Sequence, residues 1–254
     1  MEHSPRPVAL VTGGSRGIGA ASALALAERG CDVVITYRNK AARASEVITD
    51  IEKRGARALS IGCDITRQED REKLFMTLQA WSNVLHILVL NASGGLERDT
   101  LAIDPQYPMH INRDAQLALV DTMLPLMPGG SCIVFVTSHW AHLHGQVLHI
   151  PAYAPVAESK YAGEQALRAR QETLGDRGIR LIVVTGDLIE GTITPKLLER
   201  ATPGLAEQRR TSVGKLPTAA DMGEAIAAAA LDDTVATGST IVVGGSLESL
   251  PRGE

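Results

Sequence analysis

One stretch, LVTGGSRGIG at residues 10–19, constrains the fold of this chain more than any other. An apolar run over 8–11 leads into it, and an Ala- and Leu-rich helical pattern follows. The turn holds four glycines, Gly13, Gly14, Gly17 and Gly19. Glycines let the backbone approach a pyrophosphate, and the start of a helix offers unpaired N–H groups and a positive dipole. Alone, such a cluster fits a tight turn equally well, but strand, turn and helix in this order predict a phosphate-binding element.

Apolar, β-branched runs alternate with helical patterns along the chain. Strands are predicted near 7–12, 32–37, 57–61, 86–90, 131–137, 179–185 and 239–243. Helices are predicted near 17–29, 40–54, 67–81, 99–127 (with a break), 155–174 and 218–231. Because strands that alternate with helices of this length form right-handed βαβ units, the pattern predicts a parallel sheet buried on both faces. A length of 254 residues favours one α/β domain over two small ones.

Composition argues against several classes of protein. The net charge of −4 gives no general attraction to nucleic acid or to an anionic membrane. Three cysteines, Cys31, Cys63 and Cys132, have no paired spacing and predict neither a disulfide framework nor a zinc site. The N-terminus has no signal-peptide pattern, and no apolar run is long enough to span a bilayer. We therefore expect a cytoplasmic protein with no nucleic-acid or membrane partner.

The stretch 187–217 breaks the rhythm of strands and helices. It is helical in places, carries both signs of charge and contains Pro195, Pro203 and Pro217. In an open α/β sheet, an insertion after a late strand lies beside the ligand crevice at the carboxyl ends of the strands. The stretch is therefore predicted to be a substrate lid; the alternative is an ordinary surface excursion.

Several further motifs follow the glycine turn in a fixed order, and together they resemble the short-chain dehydrogenase/reductase family over nearly the whole chain. TGGSRGIG is similar to the family's TGxxxGxG, and NASG at 91–94 is similar to its NNAG. Asn112 falls where the family has a helical asparagine, Ser138 where it has its catalytic serine, and Lys160 resembles the lysine of YxxxK. The resemblance implies a Rossmann-type, doubly wound sheet of seven parallel strands in a single domain over 1–254, in a homodimer or homotetramer.

The cofactor that the resemblance implies is NADP(H). An acidic residue after the second strand favours NAD, whereas Arg38 and Asn39 stand there without a carboxylate. Arg16 is a second cation that the resemblance places beside the 2′-phosphate, although both arginines also fit an ordinary surface. The remaining cofactor contacts that the resemblance implies are Gly13, Ser15, Gly17, Ile18, Gly19, Asp64, Ile65, Asn91, Ala92, Ser93, Lys160, Gly186 and Thr192.

The catalytic residues depart from the family pattern at one position. In the family a serine polarises the carbonyl, a tyrosine gives the proton, a lysine lowers the tyrosine pKa and holds the ribose, and an asparagine supports a water path. Ser138, Lys160 and Asn112 match, but Val156 stands four residues before the lysine and has no proton to give.

Other groups in this region are candidate acids. Tyr153 lies seven residues before Lys160, so it is either a relocated acid or a tyrosine packed over the pocket mouth. The loop 138–156 contains four histidines, of which His139 is nearest the serine; the alternative is that they are ordinary polar loop residues. Their spacing is irregular, so no metal is predicted.

A second departure follows the sixth strand. The family has Pro-Gly and then a threonine, whereas this chain reads TGDLIEGT, so that Thr185 replaces the proline and Thr192 lies six residues beyond Gly186. We expect a nicotinamide pocket of the same kind with altered detail. Asp187 is either a residue of the site or a helix cap.

The sequence therefore predicts an NADPH-dependent reductase that transfers hydride to a ketone, such as a polyketide or another secondary metabolite, without the usual tyrosine. A phenolic hydroxyl beside the ketone supplies the missing group, as in the aromatic-polyketide (angucycline-type) ketoreductases that the chain resembles in this absence. Two alternatives stay open: an NADP(H)-binding sensor or partner subunit without redox chemistry, and a non-redox dehydratase or cyclase on the same scaffold.

Overall fold

Seven apolar strands form one parallel sheet in the computed structural model, which describes residues 6–252 apart from the side chains of Arg98 and Asp99. The strands are β1 (Val8–Val11), β2 (Asp32–Tyr37), β3 (Ala58–Gly62), β4 (Ile87–Leu90), β5 (Cys132–Ser138), β6 (Arg180–Gly186) and β7 (Thr240–Val243). Their order is β3-β2-β1-β4-β5-β6-β7. The direction of winding reverses between β1 and β4, and open α/β sheets bind ligands at the carboxyl ends of the strands beside such a point.

Helices connect the strands and cover both faces of the sheet. They are α1 (Gly17–Glu28), α2 (Ala41–Glu52), α3 (Gln68–Trp81), α4 (Arg98–Ile103), α5 (Tyr107–Met109), α6 (Ala115–Met123), α7 (His139–His142), α8 (Ala154–Arg168), α9 (Gln171–Asp176), α10 (Ile193–Ala201), α11 (Leu205–Val213) and α12 (Ala219–Leu231). A π-helical turn (His110–Asp114) and three 3₁₀ turns (Leu124–Leu126, Pro151–Tyr153, Leu247–Ser249) complete the described elements. None of the described helices is long and apolar enough to cross a membrane.

The core lies in two layers, one on each face of the sheet. Successive side chains of a strand point to opposite faces. In β1, Leu10 packs into a cluster with Leu119 of α6, whereas Ala9 and Val11 pack into another cluster with Ile226 of α12. This arrangement confirms the predicted doubly wound, seven-stranded parallel sheet.

The predicted helix over 99–127 is broken, as expected. Asp104 is extended after α4, and its carboxylate accepts a hydrogen bond from the backbone N–H of Gln106 at 3.0 Å. The predicted helix over 155–174 is wrong at its C-terminal end, because α8 ends at Arg168 and a separate helix, α9, follows it. At its end the N–H of Arg170 bonds to the carbonyl of Leu167, three residues back, and this tight turn separates α8 from α9.

Residues 187–217 form an insertion between β6 and α12. The segment contains the helical pair α10 and α11, joined through Gly204 at a φ of 87°. A parallel bridge joins Glu190 to Thr218, and the N–H of Glu190 donates to the carbonyl of Pro217 at 2.8 Å, so both ends of the insertion are tied together. The pair lies at the carboxyl end of β6, on the side of the sheet predicted for a ligand.

Candidate active site

The turn between β1 and α1 has a backbone that only glycine adopts easily. Gly13 and Gly17 have φ values of 66° and 54°, and a Cβ on Gly19 would lie 2.4 Å from the carbonyl oxygen of Gly13. Arg16, which precedes α1, does not cap the helix with its side chain. The N–H groups of the first turn of this 12-residue helix therefore remain for an anion. The turn fits the diphosphate of a dinucleotide.

A pocket of about 500 Å³ opens above this turn. It is bounded by the segment after β4, the end of β5, the start of α8 and residues 187–198. The predicted site residues that line it are Gly13, Arg16, Gly17, Ile18, Asn91, Ala92, Ser93, Ser138, Tyr153, Lys160 and Thr192. The predicted residues that do not line it are Ser15, Gly19, Arg38, Asn39, Asp64, Ile65, Asn112 and Gly186.

The segment after β4 is held in place by side-chain hydrogen bonds. The amide of Asn91 donates to the carbonyl of Thr12 at 2.8 Å, and the hydroxyl of Ser93 donates to the side-chain oxygen of Asn112 at 2.8 Å. Asn112 lies buried in the π-helical turn and donates to the carbonyl of Gly94 and the hydroxyl of Ser159, each at 3.0 Å. The Asn112 side chain therefore braces the loop against α8 and does not face the pocket. Such π-turns are frequent at functional sites.

Ser138 is placed at the pocket by the end of β5. Its oxygen accepts hydrogen bonds from the N–H of Ala141 at 3.2 Å and from the hydroxyl of Tyr153 at 3.0 Å. Because both bonds are accepted, the Ser138 proton remains to be donated to a ligand. Tyr153 ends the 3₁₀ turn before α8, and burial raises its pKa to about 12. The tyrosine therefore stays protonated near neutral pH.

Lys160 reaches the same pocket from α8. Its ammonium group donates to the carbonyl of Val136 at 3.0 Å, and burial lowers its pKa to about 8. One helical turn earlier, Val156 is buried and lines the pocket. The pocket therefore pairs a serine and a lysine with an aliphatic wall.

His139 does not face the pocket, which corrects the hypothesis that it is an acid. Its Nε2 lies 2.9 Å from the carbonyl of Gly244 and its Nδ1 lies 3.0 Å from the hydroxyl of Thr185. A carbonyl only accepts, so Nε2 carries the proton and Nδ1 accepts from the threonine. Burial lowers the pKa of His139, so the ring is neutral. The histidine joins the ends of β5, β6 and β7 through its contacts with Thr185 and Gly244.

The other loop histidines also lie outside the pocket lining. His142 contacts the buried carboxylate of Glu164 at 2.8 Å, and Arg168 donates to the same oxygen at 2.9 Å. The rings of His144 and His149 pack at a tilt of 42° with centroids 4.6 Å apart. Within the part of the chain that the structure describes, no three His, Cys, Asp or Glu side chains gather where they could hold a metal ion.

A buried ion pair fastens α11 to the chain directly after β6, beside the pocket. Asp187, directly after β6, lines the pocket and accepts from Arg209 of α11 at 2.8–3.0 Å. Arg209 also donates to the carbonyl and hydroxyl of Ser249, at 3.0 and 2.8 Å, and lies over the ring of Trp140. The sequence analysis left Asp187 as either a residue of the site or a helix cap. Nothing in the local pattern marks Arg209, because its burial depends on packing between distant segments.

Comparisons with known proteins agree with this geometry. Residues 13–247 match the family described as Enoyl-(Acyl carrier protein) reductase. The chain belongs to the short-chain dehydrogenase/reductase family of oxidoreductases, which act on C=O and CH–OH groups. The fold described above is the one expected of a member.

Two curated relatives extend the comparison. A hydroxynaphthalene reductase-like protein, Arp2 of Metarhizium brunneum, is 34% identical over 185 residues, which cover 70% of this chain and 68% of the relative. The 1-cyclohexenylcarbonyl-CoA reductase of Streptomyces collinus is 29% identical over 251 residues, which cover 95% of this chain and 87% of the relative. Both relatives are named as reductases or reductase-like proteins.

Solved structures of ketone reductases superpose on this chain over nearly its whole length. The angucycline C-6 ketoreductase LanV with bound NADP superposes with a TM-score of 0.80 at 29% identity, covering 95% of this chain and 96% of that one. LanV is also solved with NADP and rabelomycin. The reductase LugOII, described as promiscuous and as reducing a ketone at C1 in lugdunomycin biosynthesis, superposes with a TM-score of 0.78 at 26% identity, covering 95% and 98% of the two chains.

Proposed function

We propose that this protein is an NADPH-dependent ketone reductase that works without an enzyme phenol beside its lysine. The observation that carries the proposal is that Ser138 and Lys160 meet the glycine turn in one pocket, whose wall one helical turn before the lysine is the aliphatic Val156. A protein that only binds a cofactor has no need of a serine that presents its proton to a ligand. The sensor and partner-subunit hypotheses are therefore less well supported.

The cofactor assignment rests on the shape and charge of this chain's own residues. The glycine turn and the start of α1 accommodate a diphosphate, and Arg16 stands beside them with a guanidinium suited to a phosphate. Arg38 follows β2 where no carboxylate is present to hold a ribose 2′-hydroxyl. The NADP bound in the LanV structure supports the same choice. Bound NADPH supplies the hydride.

Ser138 is placed to polarise the substrate carbonyl. Its oxygen accepts two hydrogen bonds, and hydrogen bonds in a chain strengthen one another, so its own proton becomes a better donor. A donor fixed in this way stabilises negative charge that develops on a carbonyl oxygen. Lys160, charged below a pKa of about 8, is placed to hold a ribose hydroxyl of the cofactor.

The proton for the new alkoxide comes from the substrate in this proposal. When hydride reaches the carbonyl carbon, a phenolic hydroxyl beside it donates its proton to the alkoxide oxygen, and the phenolate then takes a proton from water. A phenol has an ordinary pKa of about 10, below the value of about 12 to which burial raises Tyr153. Tyr153 is therefore the weaker acid and acts as a support for Ser138. The alternative is that Tyr153 is the acid and passes its proton to the substrate through the hydroxyl of Ser138.

The walls of the pocket favour a flat apolar substrate. The side chains around Ser138 include Trp140, Ile150, Val156 and Leu188, with Leu198 of α10 on the side of the insertion. Apolar walls with few polar groups are typical of small-molecule sites. The rabelomycin bound in a LanV structure and the hydroxynaphthalene reductase-like relatives support a phenolic polycyclic ketone. Residues 187–217 act as the lid over this substrate.

The experiment compares an aryl ketone that carries an ortho-hydroxyl with its methyl ether. We expect loss of NADPH absorbance with the hydroxy ketone and a rate about 10²-fold lower with the ether, the range for losing a general acid. Equal rates would contradict substrate assistance. No NADPH consumption with any ketone, despite tight NADPH binding, would favour a binding protein or a non-redox enzyme.

A further inference from the structure

Arg38 is already engaged by another side chain. Its guanidinium Nη1 donates to the hydroxyl of Tyr107 at 2.5 Å. Tyr107 opens α5, between α4 and the π-helical turn, and is largely buried although Arg38 itself is exposed. The two residues are 69 positions apart, so no sequence motif connects them.

The Tyr107 ring rests on the chain beyond β4. A Cβ on Gly94 would lie 2.9 Å from Cε1 of Tyr107 and 3.3 Å from its hydroxyl oxygen, so the ring packs directly against that backbone. Burial raises the pKa of Tyr107, with Arg38 opposing the shift and Asp64 adding to it. The hydroxyl is therefore an uncharged phenol that lies beside Arg38, directly after β2.

The pair thus crosses the sheet at the predicted cofactor crevice. Gly94 follows β4 and Arg38 follows β2, and β1 lies between these strands in the sheet. Neighbouring strands are about 4.8 Å apart, so the contact spans roughly 10 Å across the end of β1, where the glycine turn begins. The pocket accordingly includes the glycine turn but not Arg38, Asp64 or Ile65.

We infer that the Tyr107–Arg38 hydrogen bond is a gate over the adenosine end of the cofactor site, and that it opens when a dinucleotide binds. This inference rests on the proposed function, since it concerns the same cofactor site. Both NADPH and NADH must break the Tyr107–Arg38 hydrogen bond in order to bind. Only NADPH carries a 2′-phosphate, which offers Arg38 a charge-assisted, bidentate replacement. The gate therefore discriminates against NADH.

The gate has a consequence that a simple phosphate site does not. If Arg38 only bound the 2′-phosphate, Arg38→Ala would leave NADH affinity unchanged, because NADH has no such phosphate. With the gate, Arg38→Ala and Tyr107→Phe each remove the bond that NADH must break. Each variant should bind NADH roughly three- to tenfold more tightly, the change that corresponds to one net hydrogen bond.

The test is calorimetric titration of NADPH and NADH into the unmodified chain, the two single variants and the double variant. We expect both single variants to bind NADH more tightly than the unmodified chain, and the double variant to show no further gain. NADPH should bind more weakly to Arg38→Ala and to the double variant. Tyr161→Phe is the matched control, because it removes the phenolic oxygen of a tyrosine whose ring packs against His144, in another part of the chain. Far-UV circular dichroism confirms that each variant is folded, and the exposed Arg38 gives a variant that does not disturb the core.

Unchanged NADH affinity in both single variants, or additive gains in the double variant, would overturn the gate. Weaker NADPH and NADH binding in Tyr107→Phe would also overturn it, since the hydroxyl would then be a ligand of the cofactor. If the unmodified chain binds neither dinucleotide, the proposed function fails, and this result is distinct from the preceding ones because no variant needs to be compared.

Discussion

The buried ion pair between Asp187 and Arg209 should dominate the attachment of α11 to the end of β6. Arg209→Met keeps an apolar stem of similar length but removes the charge and the donors that reach Asp187 and Ser249. The two side chains are only 0% and 6% exposed, so the loss leaves an unpaired buried carboxylate. Removing one partner of such a pair costs about 3–5 kcal/mol. This is a large share of the roughly 5–15 kcal/mol by which domains are stable.

The neighbouring arginine provides the control. Arg210 pairs with Glu190 at the surface, with the two side chains 42% and 38% exposed, and water screens such a pair. Arg210→Met should therefore change stability little. The double variant Asp187→Asn with Arg209→Met should lose less stability than the sum of the two single variants, because it leaves no unpaired charge buried.

The assay is urea denaturation combined with amide hydrogen exchange. We expect Arg209→Met to lower the free energy of unfolding and to speed exchange in α11 and residues 187–192 more than in β1 or β4. If only the segment detaches, the global loss is smaller and the local exchange carries the effect. Denaturation and exchange that match the unmodified chain would refute the reasoning, as would equal effects of Arg209→Met and Arg210→Met.

Four further predictions concern the cofactor, stability and assembly. Below a pKa of about 8 Lys160 is charged, so NADPH affinity should fall as pH rises through this value, and Lys160→Met should remove the dependence; a pH-independent affinity in the unmodified chain would contradict it. Lys160 has a pKa of about 8 in the folded chain and an ordinary pKa of 10.5, so the unfolded chain binds more protons between these pH values. The free energy of unfolding, measured relative to Lys160→Met, should therefore rise with pH in this range. Arg38→Asp should narrow or reverse a preference for NADPH over NADH, and equal affinities in the unmodified chain would refute this. Sedimentation should show a homodimer or homotetramer, and a monomer of 27.0 kDa alone would contradict it.

The sequence predicted the sheet well because its determinants are local. Each strand is a short apolar run, and the glycine turn joins β1 to α1 within a few residues, so periodicity and turn residues suffice. The helix over 155–174 was wrong at one boundary because a tight turn after Leu167 ends α8, and no Gly or Pro marks that point.

The site could be predicted only in part because its remaining contacts are non-local. Ser138 and Lys160 were identified from motifs, and the structure places both at the pocket. The bond from Tyr153 to Ser138, the Asp187–Arg209 pair and the Tyr107–Arg38 contact join segments that are 15 to 69 residues apart. Side chains such as these reveal their partners only when the chain is folded.

The central claim is that ketone reduction proceeds here without an enzyme phenol as the acid. The direct measurement is single-turnover reduction of an ortho-hydroxyaryl ketone by NADPH in the unmodified chain and in Tyr153→Phe, with NADPH affinity measured for both. Tyr153→Phe should bind NADPH normally and keep most of the rate, losing only the support that its hydroxyl gives Ser138. A Tyr153→Phe variant that binds NADPH normally yet loses more than about 10²-fold in rate would contradict the account, because Tyr153 would then be the acid.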